Sequence, residues 1–143
     1  MQRRYIKREI TRIIKEDKET KEKKRETLQQ NLWTKGVKLE DSTQQEEFDK
    51  YLFGYLDQID VLDSEAKIIF NINMSDEAMI EQYEDTLLTQ KQGFIDYKGK
   101  EKTELPLNQL MEYIKGRVEC INYHLTVIEN LKSQREYTQL TLF

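Results

Sequence analysis

The hydrophobic positions of the first fourteen residues follow a helical period. Their apolar side chains fall on one face of an α-helix, because they lie three to four residues apart. Between Lys15 and Thr27 there is no apolar residue, and Glu and Lys recur at the i,i+4 spacing that supports an exposed helix. The pattern therefore predicts that the helix continues through this run, with a linker as the alternative. The apolar face holds Ile6, Ile10, Ile13 and Ile14, and the opposite face holds Arg3, Arg4, Lys7, Arg8 and Arg12.

Two amphipathic stretches predict helices in the middle of the chain. The first follows the helix-start signature Asp41-Ser42-Thr43. The second begins at Ser75 and is expected to end at Gly93. The inward positions are Phe48, Tyr51, Leu52, Tyr55, Leu56 and Ile59 in the first stretch, and Met79, Ile80, Tyr83, Leu87 and Leu88 in the second.

Two shorter segments leave the secondary structure open. Residues 65–73 place Ile68, Phe70 and Ile72 at every second position, which suits a strand, although a buried helical turn fits nearly as well. Residues 94–98 have the character of a short strand or a loop. A small two-stranded element pairing 65–73 with 94–98 is therefore an alternative to helix.

The last long stretch has the strongest pattern. Its apolar residues alternate by four and three, which gives a heptad-like seam along a helix from about Pro106 to Arg135. Such a seam either packs in the protein's own core or pairs with a second copy, so a homodimer through 106–135 is a second interpretation. The seam is formed by Leu107, Met111, Ile114, Val118, Ile121, Leu125 and Ile128.

Composition changes this picture little. The chain has 143 residues with only 1 Pro and 5 Gly, too few for a turn-rich β fold, so the prediction is a mainly α, small helical domain with long terminal helices. A single Cys permits no internal disulfide, which suits a reducing cytoplasm. No 18-residue apolar run predicts a membrane span, and the basic start lacks the apolar stretch of a signal peptide.

Charge divides the chain into unequal parts. Residues 1–38 hold 13 Lys/Arg against 6 Asp/Glu, and the remainder holds 10 against 21. We therefore expect a basic helical arm (1–38), an acidic helical core (39–131) and a C-terminal spacer with a tail (132–143). The arm's arginines and lysines are candidate contacts for nucleic-acid phosphates or for an acidic protein partner.

The last five residues carry the most specific pattern in the sequence. Gln139-Leu140-Thr141-Leu142-Phe143 reads Q-L-x-L-F. It resembles the short peptide by which bacterial replication and repair proteins dock onto the DNA sliding clamp. The resemblance covers five residues and implies nothing about the fold of the rest of the chain.

The resemblance implies a role for each position of the tail. Leu140, Leu142 and Phe143 would fill an apolar pocket on the clamp, Gln139 would hydrogen-bond at its rim, and Thr141 is free to vary. Burying a Leu or Phe contributes about 1.5–3 kcal/mol, so three anchors suit an affinity near the micromolar range once the ordering of the tail is subtracted. The alternative is that the three apolar residues fold back onto the core.

Signals for catalysis are weak. The sequence contains no nucleotide-binding or serine-hydrolase signature. Cys120 and His124 lie one helical turn apart, but they are the only Cys and His in the chain, so packing is preferred and no metal or other cofactor is predicted.

One acidic pattern suggests a metal-dependent nuclease as a weaker alternative. Asp63, Glu65 and Lys67 have the spacing of a nuclease motif in which two acids and a lysine on a strand hold Mg²⁺ and a water. The fuller motif requires an upstream acid on a strand of its own, but Asp57 and Asp60 fall in or just after a predicted helix, so we expect a protein that is not an enzyme.

These observations favour a bacterial or phage-type binding protein. It would bind the sliding clamp through its tail, either as a replication or repair accessory or as an inhibitor of clamp use. The alternative is an anti-defence (anti-CRISPR-like) inhibitor that binds a nucleic-acid enzyme, with its acidic core imitating phosphate charge. The sequence does not separate these uses.

Overall fold

Over the part of the chain that it describes, a computed structural model shows four α-helices: α1 (Gln2–Lys35), α2 (Leu39–Asn71), α3 (Asp76–Ile95) and α4 (Leu107–Thr141). The structure describes the backbone of residues 2–35, 39–97 and 107–141, and the side chains of 5–26, 46–97 and 107–133. Within the described residues there is no strand. The prediction of a mainly α domain with long terminal helices is confirmed.

Consecutive helices run antiparallel. Lys18 and Arg25 of α1 pair with Asp60 and Asp49 of α2, so one helix ascends as the other descends. The pair Lys132–Glu84 and the stacking of Arg117 on Phe94 fix the same relation between α4 and α3. The result is an up-down-up-down bundle, and α2 and α4 run parallel to each other.

A single apolar core is shared by all four helices. Ile6, Ile10 and Ile14 of α1 belong to it, which confirms the predicted apolar face. On α3 the predicted inward residues are buried except Leu88, which is 49% exposed. The buried members from α2 and α4 are Tyr55, Ile59, Leu62, Ala66, Ile69, Cys120, Ile121, Ile128 and Leu131.

Helices α2 and α4 approach each other closely at two glycines. A Cβ added to Gly54 would lie 2.0 Å from the carbonyl oxygen of Tyr113, and one added to Gly116 would lie 2.0 Å from that of Tyr51. Both obstacles are backbone atoms, which cannot swing aside as a side chain would. Only glycine permits this approach, so these two positions set the distance between α2 and α4.

The polar run after Ile14 is helical, as predicted, and the linker alternative is wrong for it. Residues 15–27 lie inside α1, which reaches Lys35. The outer turns are held to α2 by side chains rather than by apolar contacts. Lys18 Nζ lies 2.8 Å from Asp60 Oδ1, and the Arg25 guanidinium stacks 3.6 Å from the Phe53 ring centroid.

Three local expectations are wrong. The predicted helix start at Asp41-Ser42-Thr43 lies inside α2, which begins at Leu39. The strand interpretation of 65–73 fails because α2 continues to Asn71 and a short turn then leads into α3. Gly93 does not end α3, which continues to Ile95. The predicted start of α3 is confirmed, since Ser75 Oγ accepts a hydrogen bond of 3.2 Å from the backbone N–H of Ala78.

The predicted seam of α4 divides between core and surface. Ile121 and Ile128 are fully buried in the protein's own core, whereas Leu107 and Met111 are 69% and 61% exposed. The pairing of this helix with a second copy stays a prediction. Within the described parts of the chain, every helix lacks the apolar stretch that a membrane span requires.

Candidate functional site

Five polar side chains meet in the centre of the bundle, and every helix contributes to them. We call Asp17 (α1), Tyr55 (α2), Tyr83 (α3), Cys120 and His124 (both α4) the buried polar cluster. Each is at most 9% exposed, although the side chains of Asp17, Cys120 and His124 readily lose or gain a proton in water. Because α1 and α4 supply its ionisable groups from opposite ends of the sequence, the cluster exists only in the folded chain.

Hydrogen bonds join four of these groups in a row. Tyr55 Oη lies 3.0 and 2.8 Å from the two carboxylate oxygens of Asp17. His124 Nε2 lies 3.3 Å from Asp17 Oδ2, and His124 Nδ1 lies 3.2 Å from Tyr83 Oη. The order is therefore Tyr55, Asp17, His124, Tyr83, and every side-chain polar group in it has a partner inside the protein.

Burial keeps the hydroxyl and thiol groups of the cluster protonated. It raises the pKa of Tyr55, Tyr83 and Cys120 well above their ordinary values, because an anion is poorly solvated there. The charge of Asp17 adds to the effect on Cys120. With both tyrosines protonated, Tyr55 donates to Asp17. An ionised carboxylate only accepts hydrogen bonds, so His124 donates to Asp17 from Nε2, and its Nδ1 shares a hydrogen bond with the Tyr83 hydroxyl.

The same place contains three kinds of metal-ligating atom. A carboxylate oxygen of Asp17, Cys120 Sγ and a ring nitrogen of His124 all lie within 4.8 Å of one another. No other group of three or more His, Cys, Asp or Glu is as close among the side chains that the structure describes. The cluster is therefore the one described place with a donor set for a transition metal.

Sequence reasoning identified the Cys120–His124 pair and missed Asp17. The acid stands in a run with no apolar residue, which favours a solvated face. Yet it follows Ile13 by four residues and Ile14 by three, so it continues the buried isoleucine face by one turn. A lone acid on the extension of an apolar face was the available signal.

The predicted basic contacts are partly occupied within the protein. Arg12 binds Glu9 at 2.7 Å and Glu16 at 3.0 Å, which raises the pKa of its guanidinium and leaves no excess positive charge in this group. Lys7 Nζ lies 5.5 Å from the centroid of the Phe70 ring, and Arg8 is exposed. The side chains of Arg3 and Arg4 lie outside the described residues.

The acids of the weaker nuclease interpretation lie on a helix. Asp63, Glu65 and Lys67 all fall within α2, and Lys67 Nζ pairs with Asp63 Oδ2 at 3.0 Å. This is the ordinary i,i+4 ion pair of an exposed helix. The strand that the nuclease motif requires is not formed, so this pattern carries no catalytic proposal.

The structure describes only part of the backbone of the C-terminal motif. Helix α4 extends to Thr141, so it includes Gln139 and Leu140 and also the residues predicted as a spacer. The side chains of Gln139 and Leu140, and Leu142 and Phe143 altogether, lie outside the described residues. Their docking role is a prediction from the sequence.

Comparison with protein-family models, curated proteins and solved structures finds no match to this chain. The features of the chain that indicate a function are therefore the buried polar cluster and the C-terminal motif.

Proposed function

We propose that this protein binds the bacterial DNA sliding clamp through Gln139–Phe143 and acts there without catalysing a reaction, in the reducing cytoplasm that its single cysteine suits. The observation that carries the proposal is the five-residue Q-L-x-L-F pattern. It specifies a polar head and three apolar anchors, the combination that a preformed apolar pocket with a polar rim would bind.

The course of α4 supports access to the motif. Leu131 is the last buried apolar residue among the described side chains of α4, and Ser133 is exposed. Gln139 follows Leu131 by roughly 12 Å along the helix axis at the usual rise per residue. The final carbonyl groups of a helix have no partners within it, so the last turn unwinds at little cost to fit a pocket.

The direct test is a calorimetric titration of a bacterial sliding clamp with the full chain and with a chain ending at Thr138. We expect the full chain to bind with a dissociation constant near the micromolar range and the shortened chain to show no measurable binding. Equal binding by the two chains, or no binding by the full chain, would overturn the proposal. Circular dichroism of the shortened chain serves as the folding control.

Docking onto the clamp fits two functions: a replication or repair accessory, and an inhibitor of clamp use. The two differ in whether the basic arm contacts DNA. An accessory tethered to DNA would use Lys7 and Arg8, and its DNA affinity would fall as salt rises. An inhibitor would compete with a polymerase peptide for the clamp and would not need DNA. A competition assay with a labelled clamp-binding peptide, run beside a DNA titration at two salt concentrations, distinguishes them.

A second candidate function is favoured by the outer face of α3. Glu77, Glu81 and Asp85 are exposed at i,i+4 spacing on this helix, which gives an acidic stripe with a repeat of about 6 Å. That stripe suits an anti-defence inhibitor that imitates a phosphate backbone. Inhibition of a nucleic-acid enzyme that disappears on replacing the three acids by amides, with the tail intact, would support this candidate instead.

A further inference from the structure

We propose that Asp17, Cys120 and His124 bind one Zn²⁺ ion in the centre of the bundle. Their ligand atoms lie within 4.8 Å of one another, and His124 Nε2 lies 3.3 Å from Asp17 Oδ2. In a tetrahedral zinc site, bonds of about 2.0–2.3 Å place neighbouring ligand atoms about 3.3–3.7 Å apart. The three side chains therefore need only small rotations to share an ion.

The three ligands lie on two helices of the bundle, α1 and α4. Cys120 and His124 are separated by one turn of α4, the i,i+4 spacing at which two ligands of one helix reach a common ion. Asp17 comes from a different helix, α1. Ligands held on packed helices keep their geometry better than ligands on loops.

Each of two ligands already has the outer partner that metal sites use. Tyr55 donates to the Asp17 carboxylate, and Tyr83 Oη lies 3.2 Å from the second ring nitrogen of His124. A metal-bound histidine normally gives its other N–H to such a neighbour, which fixes the ring and its tautomer. With zinc on Nε2, the proton moves to Nδ1 and the Tyr83 oxygen becomes the acceptor.

Charge and donor type favour zinc over other ions. A carboxylate and a thiolate together carry two negative charges, so the occupied site would be neutral, which suits a place where all three ligands are at most 9% exposed. Thiolate and imidazole select zinc over Mg²⁺ or Ca²⁺, which prefer oxygen alone. Three protein ligands leave one tetrahedral position for a water molecule.

The rival explanation is a hydrogen-bond network that needs no ion. Tyr55, Asp17, His124 and Tyr83 are fully paired without one, and such networks also occur in cores for structural reasons. The two explanations differ over Cys120, which packs in the core and takes no part in the hydrogen bonds of the network, but is a ligand in the metal site.

Cobalt titration of the full chain, with any affinity tag removed, tests the site. Metal is added to the folded protein and, in a separate experiment, during refolding, so that the ion can reach the site even if burial prevents its entry into the folded protein. We expect one equivalent of Co²⁺ to give thiolate-to-cobalt charge-transfer absorption that Zn²⁺ then abolishes. Since the chain has 1 Cys and 1 His, that absorption can only come from Cys120.

Variants assign the other ligands. Cys120→Ser should remove the charge-transfer band, and Asp17→Asn should weaken Co²⁺ binding at least tenfold. Tyr83→Phe should keep the band but weaken binding about 10- to 100-fold, as loss of an outer partner does. Asp63→Asn, which changes an exposed acid of α2, is the matched control and should bind as the parent does.

The proposal is overturned if the folded parent chain gives no charge-transfer band in either protocol, or if Asp17→Asn binds Co²⁺ as tightly as the parent. Thermal unfolding provides a second measurement in case a variant folds poorly. Zn²⁺ should raise the melting temperature of the parent, and a chelator should reverse the shift. The site would also be rejected if neither Zn²⁺ nor the chelator changed the melting temperature.

Discussion

The buried polar cluster draws side chains from all four helices, whereas the C-terminal segment carries its chemistry in five consecutive residues. The cluster depends on the contacts that hold the bundle together, since Asp17 of α1 reaches His124 of α4 only because α1 packs against α2 and α3. The segment depends on being accessible and on its own five side chains. Changes in the body of the chain should therefore alter the unfolding free energy and leave the clamp affinity of the folded protein unchanged. Changes in the segment should do the reverse.

The largest effect on the body is expected at the α2–α4 crossing. Gly116→Ala would place a Cβ 2.0 Å from the carbonyl oxygen of Tyr51, so the helices must separate, and we expect a loss of about 3 kcal/mol in unfolding free energy. Gly93→Ala is the control, because no atom lies within 4 Å of the added Cβ. That change should stabilise the protein by up to about 1 kcal/mol. Urea unfolding measures both, and a Gly116→Ala chain as stable as the parent would contradict the described crossing.

The next largest effect is expected from Asp17. Asp17→Ala removes the acceptor of Tyr55 and of His124 Nε2, and a buried donor without a partner costs about 1–3 kcal/mol. Glu16→Ala is the matched control on the neighbouring exposed position and should change stability by no more than about 0.5 kcal/mol. Equal effects of the two substitutions in chemical unfolding would show that Asp17 is not buried among partners. Clamp affinity should be unaffected in both.

A pH-dependent effect of intermediate size is expected from Cys120 in the metal-free protein. Burial raises the pKa of this thiol in the folded state, so the unfolded chain loses its proton first as pH rises. The contribution of the Cys120 thiol to the unfolding free energy is fully present below about pH 8.5. Above that pH it decreases by up to about 1.4 kcal/mol per pH unit. Unfolding free energies at pH 7.5 and 9.5, in a chelator, measure the loss. Cys120→Ser should show a smaller loss over the same range, and an identical loss would exclude the thiol as its cause.

The smallest effect is expected at the surface contacts of α1. Lys18→Ala removes an exposed ion pair with Asp60, and such pairs contribute about 0.2–1 kcal/mol or less. The loss should shrink further at high salt, because ions screen exposed charges. Unfolding measured at low and high salt checks this expectation. A loss above about 1 kcal/mol that persists in salt would mean that the polar half of α1 is held more firmly than its contacts indicate.

The sequence predicted the parts of the fold that depend on local pattern. The isoleucine face of α1 and the Ser75 cap follow from spacing and residue type within one or two turns. The sequence left 65–73 open between strand and helix, because alternation over five residues fits a short strand as well as it fits the end of a long helix. Only tertiary packing decided between them, since Ala66 and Ile69 are buried at a helical spacing.

The candidate sites divide in the same way. The C-terminal motif is linear and could be recognised from its letters, whereas Asp17 joins Cys120 and His124 only after folding, from more than a hundred residues away. The close approach at the two glycines of the α2–α4 crossing could not be predicted from the sequence either. A glycine within a helix ordinarily indicates a lower helix propensity rather than a close contact with another helix.

The central claim is that the chain docks onto a sliding clamp through its last five residues. Its most direct test is a pair of calorimetric titrations of the clamp, one with Phe143→Ala and one with Thr141→Ala. The account predicts that loss of the Phe143 anchor weakens binding by roughly 10-fold or more, while the variable position Thr141 changes affinity by less than about twofold. Equal affinities for the two variants would contradict it.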